Sequence, residues 1–133
     1  MNTVVIGIGS NIDPENNIRA AIAHLKTFSR VIKVSELIRT APIGIPDQPD
    51  FLNGAVKITT PLSKEELNTR LKETEDHLGR DRSQPKFGPR SIDLDIIIWN
   101  GEITGPEYFT RDFIRKVVDS VKGEELPGCA SGE

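Results

Sequence analysis

Two periods of apolar residues alternate along the first sixty positions. Residues 3–8 form an apolar run that closes on Gly9 and predicts a first strand. Ile18, Ala21, Ile22 and Leu25 then recur at helical spacing. They follow Asp13-Pro14-Glu15, which offers a cap candidate, a proline suited to a first turn and an early negative charge. This helix is expected to end near Phe28. Residues 31–38 predict a second strand, although Lys33 and Glu36 blur its alternation. Three prolines and a glycine impose a loop on residues 40–50. Residues 51–59 predict a third strand with Leu52, Val56 and Ile58 as core candidates. Gly54 and Ala55 leave room beside it for a ligand or another stretch of backbone.

Ser63 followed by Glu66 has capping-box spacing and predicts a second helix. Leu67, Leu71 and Leu78 supply its apolar face, and Gly79 ends it. Residues 92–99 predict a fourth strand, with Ile92, Leu94, Ile96 and Ile98 on one face and Asp93, Asp95 and Ile97 on the other. Phe113, Val117, Val118 and Val121 predict a third helix over residues 109–121. Residues 123–133 are expected to form a flexible tail. The order strand, helix, strand, strand, helix, strand predicts an α+β fold with a ferredoxin-like βαββαβ core. Its sheet is mainly antiparallel, with helices on one face and active-site loops on the other. A single domain is expected over residues 1–122.

A length of 133 residues suits one domain with a real core. Seventeen basic and twenty acidic residues give a net charge of -3, which offers no support for bulk binding to nucleic acid or to an anionic membrane. Cys129 is the only cysteine, so no internal disulfide exists, and with only His24 and His77 beside it there is no zinc cluster. Cys129 is expected to be inert, and the two histidines to be surface or capping residues. Without a basic leader or a membrane-length apolar segment, the expected location is the cytoplasm.

The densest chemistry lies in residues 79–98. Arg80, Arg82, Lys86 and Arg90 form a cationic stretch suited to phosphate oxygens. Asp93 and Asp95 share one face of the following strand and suit a hard cation, since two carboxylates there repel unless a cation or donors lie between them. Together they are the parts of a magnesium-nucleotide site; alternating acids are also common on an edge strand. Gly7, Gly9, Ser10 and Asn11 lack the lysine of a P-loop, and alone read as a tight turn. Phe51 and Asn53 share a face and suit a flat heterocycle, one by stacking and the other by hydrogen bonds, or else serve as core and turn. Glu75 taken alone is a solvated helix charge. A ferredoxin-like domain also serves as an RNA-binding, regulatory or interaction module, so the fold alone decides nothing.

Gly9-Ser10-Asn11, residues 39–44 (RTAPIG), residues 47–53 (DQPDFLN), residues 79–82 (GRDR) and residues 87–96 (FGPRSIDLDI) together resemble the 6-hydroxymethyl-7,8-dihydropterin pyrophosphokinase family of folate biosynthesis. The resemblance covers roughly residues 3 to 102, and FGPRSIDLDI after GRDR is its most specific part. It implies ATP-dependent transfer of a pyrophosphoryl group to the pterin hydroxymethyl oxygen, with AMP as the other product. Asp93 and Asp95 would hold two magnesium ions. Glu75, Arg80, Lys86, Ile96 and Arg111 would line the nucleotide site. Arg82 would close a mobile loop over ATP, and Arg90 would contact the phosphates. Asp95, Arg82 and Arg90 would be the catalytic group. Thr40, Pro42, Ile43, Phe51, Asn53 and Phe113 would form the pterin pocket. The partners implied are ATP and the pterin alone, with a monomer expected.

The chain departs from that pattern in places. Lys86 and Phe87 stand where many members have arginine and tryptophan, and Phe51 where many have tyrosine. The family's proline-histidine pair has no match, and the part after Ile103 is short. A catalytically impaired binder of pterin or nucleotide is the alternative this raises. Carrying over Arg111 and Phe113 requires them to share a face, which predicts an extended stretch over residues 110–113 and a helix starting at Ile114.

Overall fold

The computed structural model describes residues 1–42, 44–79 and 91–122. Its strands are β1 (Asn2–Ser10), β2 (Arg30–Val34), β3 (Ile38–Thr40), β4 (Phe51–Thr60), β5 (Asp93–Trp99) and β6 (Glu102–Ile103). The helices are α1 (Pro14–Leu25), α2 (Lys64–His77), α3 (Glu107–Thr110) and α4 (Asp112–Lys122). The sheet runs β2-β4-β1-β5-β6, with β3 also paired to β4, and the pairings are antiparallel. This is an α+β fold, and α1 and α2 pack together on one face of the sheet. None of the described helices is long and apolar enough to cross a membrane.

Alternation along the strands divides the apolar residues between two clusters. Val4, Ile6, Ile8, Val56, Ile58 and Leu94 pack against Ile18, Ala21, Leu25, Leu67 and Leu71 from α1 and α2. Val5, Ala55, Ile97 and Ile98 face the other way and meet Ile114, Val117, Val118 and Val121 of α4. The C-terminal helix therefore covers part of the face expected to carry only loops.

Local chemistry sets the element ends. The Ser63 hydroxyl accepts from Glu66 N–H at 3.1 Å and the Glu66 carboxylate accepts from Ser63 N–H at 2.9 Å, completing the capping box. At α1 the proline takes its expected first-turn place, but Asp13 adopts a left-handed conformation and its side chain caps no backbone group. Its carboxylate accepts from Asn16 instead. That helix stops at Leu25, short of Phe28, where the Thr27 and Ser29 hydroxyls donate to the His24 and Leu25 carbonyls at 2.7 and 2.6 Å.

Three expectations need correction. The second strand is broken, because Ser35 exchanges bonds with Ala55 and Leu37 fills the space over Gly54. The room beside Gly54 thus belongs to the chain's own side chains. Ile98 does not share a face with Ile96: Ile6 pairs with Ile96 and Val5 with Ile98, leaving Ile97 as an extra residue in a β-bulge. The third helix is two helices, and the extended break between them is confined to Arg111, at φ -133 and ψ 108. Thr110 and Phe113 are helical, and Phe109 is 66% exposed. Beyond β5, Asn100 and Gly101 both take positive φ and close a hairpin to β6.

Candidate active site

Register assembles the site from four strands, β1, β3, β4 and β5. Gly9 lies between Asp93 on β5 and Asn53 on β4, and Gly7 lies between Asp95 and Ala55. Thr40 pairs with Phe51 and Ile38 with Asn53. Directly paired residues share a sheet face. Asp93, Asp95, Asn53, Phe51 and Thr40 therefore stand together over a floor of two glycines. A Cβ on Gly9 would sit 2.7 Å from Asn53 Oδ1, so glycine is what lets the amide lie across β1. Asn53 is only 8% exposed, and its Nδ2 donates to Thr40 Oγ1 at 2.6 Å. It is a fixed polar wall, not a turn residue.

Gly9 and Ser10 belong to β1 and not to the expected turn, and Asn11 directly after them fastens the loop that follows β3. Asn11 Nδ2 donates to Gln48 Oε1 at 2.8 Å and to Pro49 O at 3.1 Å. Gln48 Nε2 in turn donates to Ile45 O at 2.8 Å. Pro42 lies in this loop; Ile43 lies outside the described residues. The motif thus ties two segments of the site together.

The carboxylate pair is electrostatically strained. Asp95 is pushed up from its ordinary 3.8 to about 7. Withdrawal from water is the largest cause, followed by the charges of Asp93, Glu107 and Glu75 and a hydrogen bond with Asp93. Asp95 keeps an open surface, so this withdrawal is partial, as on a cleft floor. Such a pair fits a cation by its donor chemistry. Among the described residues no three of His, Cys, Asp and Glu are grouped to hold a metal ion alone.

Glu75 is not a solvated helix charge. It is 2% exposed, and its Oε2 accepts from Leu94 N–H at 2.7 Å. It grips the backbone between the two aspartates from the α2 side. The Ile96 side chain also packs on that side, facing away from the aspartates. Arg111 occupies the break between α3 and α4, and Phe113 lies half-buried against the second cluster with Ile38. Arg80, Arg82, Lys86 and Arg90 lie outside the described residues. His24 and His77 stack at 5.5 Å across α1 and α2, on the opposite side of the sheet from the acidic pair.

Sequence reasoning missed Glu107, the first residue of α3. Its Oε1 is buried without a hydrogen-bond partner, and its charge acts on Asp95. A lone acid after Gly105-Pro106, outside any periodic pattern, carried no signal.

The family profile of 7,8-dihydro-6-hydroxymethylpterin-pyrophosphokinase (HPPK) matches residues 5–122. The 2-amino-4-hydroxy-6-hydroxymethyldihydropteridine pyrophosphokinase of Bacillus subtilis is 43% identical over 104 residues, covering 76% of this chain and 62% of that protein. The protein of the same name from Aquifex aeolicus is 36% identical, covering 77% and 64%. That of Haemophilus influenzae is 34% identical over 113 residues, covering 83% and 70%. The chain thus spans less than two thirds of the Bacillus and Aquifex proteins. With a profile match running from β1 through α4, and relatives that share most of its length, the chain belongs to the 7,8-dihydro-6-hydroxymethylpterin-pyrophosphokinase (HPPK) family.

Proposed function

We propose that this chain transfers the terminal pyrophosphoryl group of ATP to the hydroxymethyl oxygen of 6-hydroxymethyl-7,8-dihydropterin, releasing AMP. The observation that carries this is the pairing of Asp93 and Asp95 across two glycines from the wall formed by the buried Asn53 and its partner Thr40. One side of the site suits a cation-bound polyphosphate and the other a flat, hydrogen-bonding ring. The strand order around β1, with β4 and β5 flanking it and β2 outside, supports a ferredoxin-like core.

Asp93 and Asp95 would hold the magnesium ions. When bound, these neutralise the repulsion between the hydroxyl oxygen and the polyphosphate. Among the described residues no third carboxylate is grouped with the pair, which supports binding that is strong only when nucleotide oxygens complete the coordination. Asn53, held by Thr40, orients the pterin edge, and Phe51 offers a ring face to stack on. Phe113 covers the opposite ring face. Pro42 and Ile43 shape the pocket wall, and Glu75 and Ile96 support the strand beside the nucleotide. Arg80, Arg82, Lys86, Arg90 and Arg111 neutralise and orient the phosphates, with Arg82 and Arg90 acting during transfer.

The test is incubation with ATP, magnesium and the pterin. Formation of AMP and pterin pyrophosphate in equal amounts is expected, together with its loss in Asp95→Ala. Binding of both substrates without AMP would mark an impaired relative.

A further inference from the structure

We propose that the Tyr108 hydroxyl is a positioning group for the transfer reaction: by bonding Asp119 it locks α3 against α4 and fixes how Arg111, at the joint between them, meets the nucleotide. This rests on the phosphate contact proposed above for Arg111 and adds the device that holds that residue in place.

The joint is seated by backbone. Thr104 and Gly105 both donate their N–H to the Ile97 carbonyl, at 2.8 and 3.1 Å. Gly105 lies so close to β5 that a Cβ would stand 3.0 Å from both Ile96 O and Ile97 Cα. α3 therefore starts beside the strand that carries Asp93 and Asp95, and its four residues lead to Arg111. Arg111 N–H donates to Glu107 O at 3.0 Å and closes α3. Its carbonyl accepts from the Ile114 and Arg115 N–H groups, at 3.0 and 3.1 Å, and opens α4. One half-buried residue in extended conformation thus joins the two helices. Any change in the angle between them turns at Arg111.

A helix of one turn has little stiffness of its own. Side chains supply what the backbone lacks. The Tyr108 ring is buried in the second cluster, with Val117, Val118 and Val121. Its hydroxyl donates to Asp119 Oδ1 at 2.7 Å and accepts from Lys122 Nζ at 3.1 Å. Lys122 Nζ also lies 3.2 Å from Asp119 Oδ1 and 5.1 Å from the centre of the ring. These contacts tie a residue one turn before Arg111 to residues two and three turns after it. The hydroxyl serves as donor and as acceptor, so it fixes a direction, which burial of the ring alone does not.

The test measures binding of α,β-methylene ATP with magnesium by calorimetry, and of the pterin separately. Tyr108→Phe keeps the ring and is expected to weaken nucleotide binding about fivefold, the equivalent of roughly one hydrogen bond. Pterin affinity should not change, because Phe113 belongs to α4, which stays packed on the sheet. Asp119→Leu, at a half-exposed position, should act like Tyr108→Phe. Asp119→Asn keeps an acceptor oxygen and should recover most of the affinity. The deciding measurement is a double-mutant cycle: in an Arg111→Ala background, Tyr108→Phe should change nothing further. An equal loss with and without Arg111 overturns the proposal, because Tyr108 then acts on the fold or on the nucleotide directly. A matching loss of pterin affinity overturns it as a general loosening of the fold. Unchanged nucleotide affinity in Tyr108→Phe, with loss in Arg111→Ala, overturns the role of the hydroxyl and leaves Arg111 in the site. Unchanged affinity in Arg111→Ala removes the phosphate contact and overturns the proposal with it, while AMP formation that is lost in Asp95→Ala would keep the proposed transfer.

Discussion

At the scale of single residues, Asp95 would couple protons to the proposed cation. Its folded-state value lies above its ordinary one, so the folded chain retains a proton that the unfolded chain has released between 3.8 and about 7. Stability of the metal-free protein should therefore fall as pH rises through that window. Denaturant unfolding at stepped pH should show that slope in the parent and a flatter one in Asp95→Asn. In the proposed site, proton and cation would compete for the same oxygens, so Mn2+ affinity should weaken as pH drops below about 7. Gly9→Ala is a second residue-scale test. Its Cβ displaces the Asn53 amide, so pterin affinity should fall by about tenfold, the value of roughly one hydrogen bond. A crystal structure of the variant with Asn53 unmoved and pterin affinity intact would contradict this. Of these residues, Asp93, Asp95, Phe51 and Asn53 were legible from strand periodicity, since a period of two states which residues share a face. The burial of Glu75 and of the Glu107 Oε1 was not. A helix acid that seeks a strand N–H looks the same in sequence as one that faces water, and only tertiary packing separates them.

At the scale of elements, the capping box was written in local sequence because both its bonds span three residues. Ser63→Ala should cost about 1 kcal/mol in denaturant unfolding. The backbone N–H of Ser63 and then its hydroxyl hold Glu66 below the usual carboxylate value of 4.5. That contribution is complete above 4.5 and disappears as pH falls through the lowered folded value, a trend that Glu66→Gln should remove. The α2–β5 link tests differently. Glu75→Ala leaves the Leu94 N–H without its acceptor and should cost about 1–3 kcal/mol, whereas Glu75→Gln keeps an acceptor and should recover much of that loss. The split of the second strand was not legible, because Leu37 over Gly54 is a contact between strands. The hairpin to β6 was legible. Asn100-Gly101 is the residue pair such turns require, and it was overlooked beside the acidic strand.

At the scale of the molecule, one sheet serves two cores, and the site occupies the part of the second face that α4 leaves uncovered. The alternation of strands and helices from β1 to β5 specified the first core, since each helix returns its chain to the sheet. The place of α4 depended on the three residues between β6 and α3 and on the break at Arg111, and could not be read from periodicity. A chain ending at Arg111 should therefore expose Val5, Ala55, Ile97 and Ile98 together. It is expected to aggregate or bind a hydrophobic dye, and to lose cooperative melting in calorimetry.

The bulge at Ile97 carries a consequence for how this arm is attached. Removing Ile97 would leave Asp93, Leu94, Asp95, Ile96, Ile98 and Trp99 in strict alternation, each on the face it already occupies. The ladder would gain regularity. What disappears is the carbonyl that receives Thr104 and Gly105. The supernumerary residue is thus a docking joint, so a one-residue deletion could uncouple the C-terminal arm while the sheet stays in register.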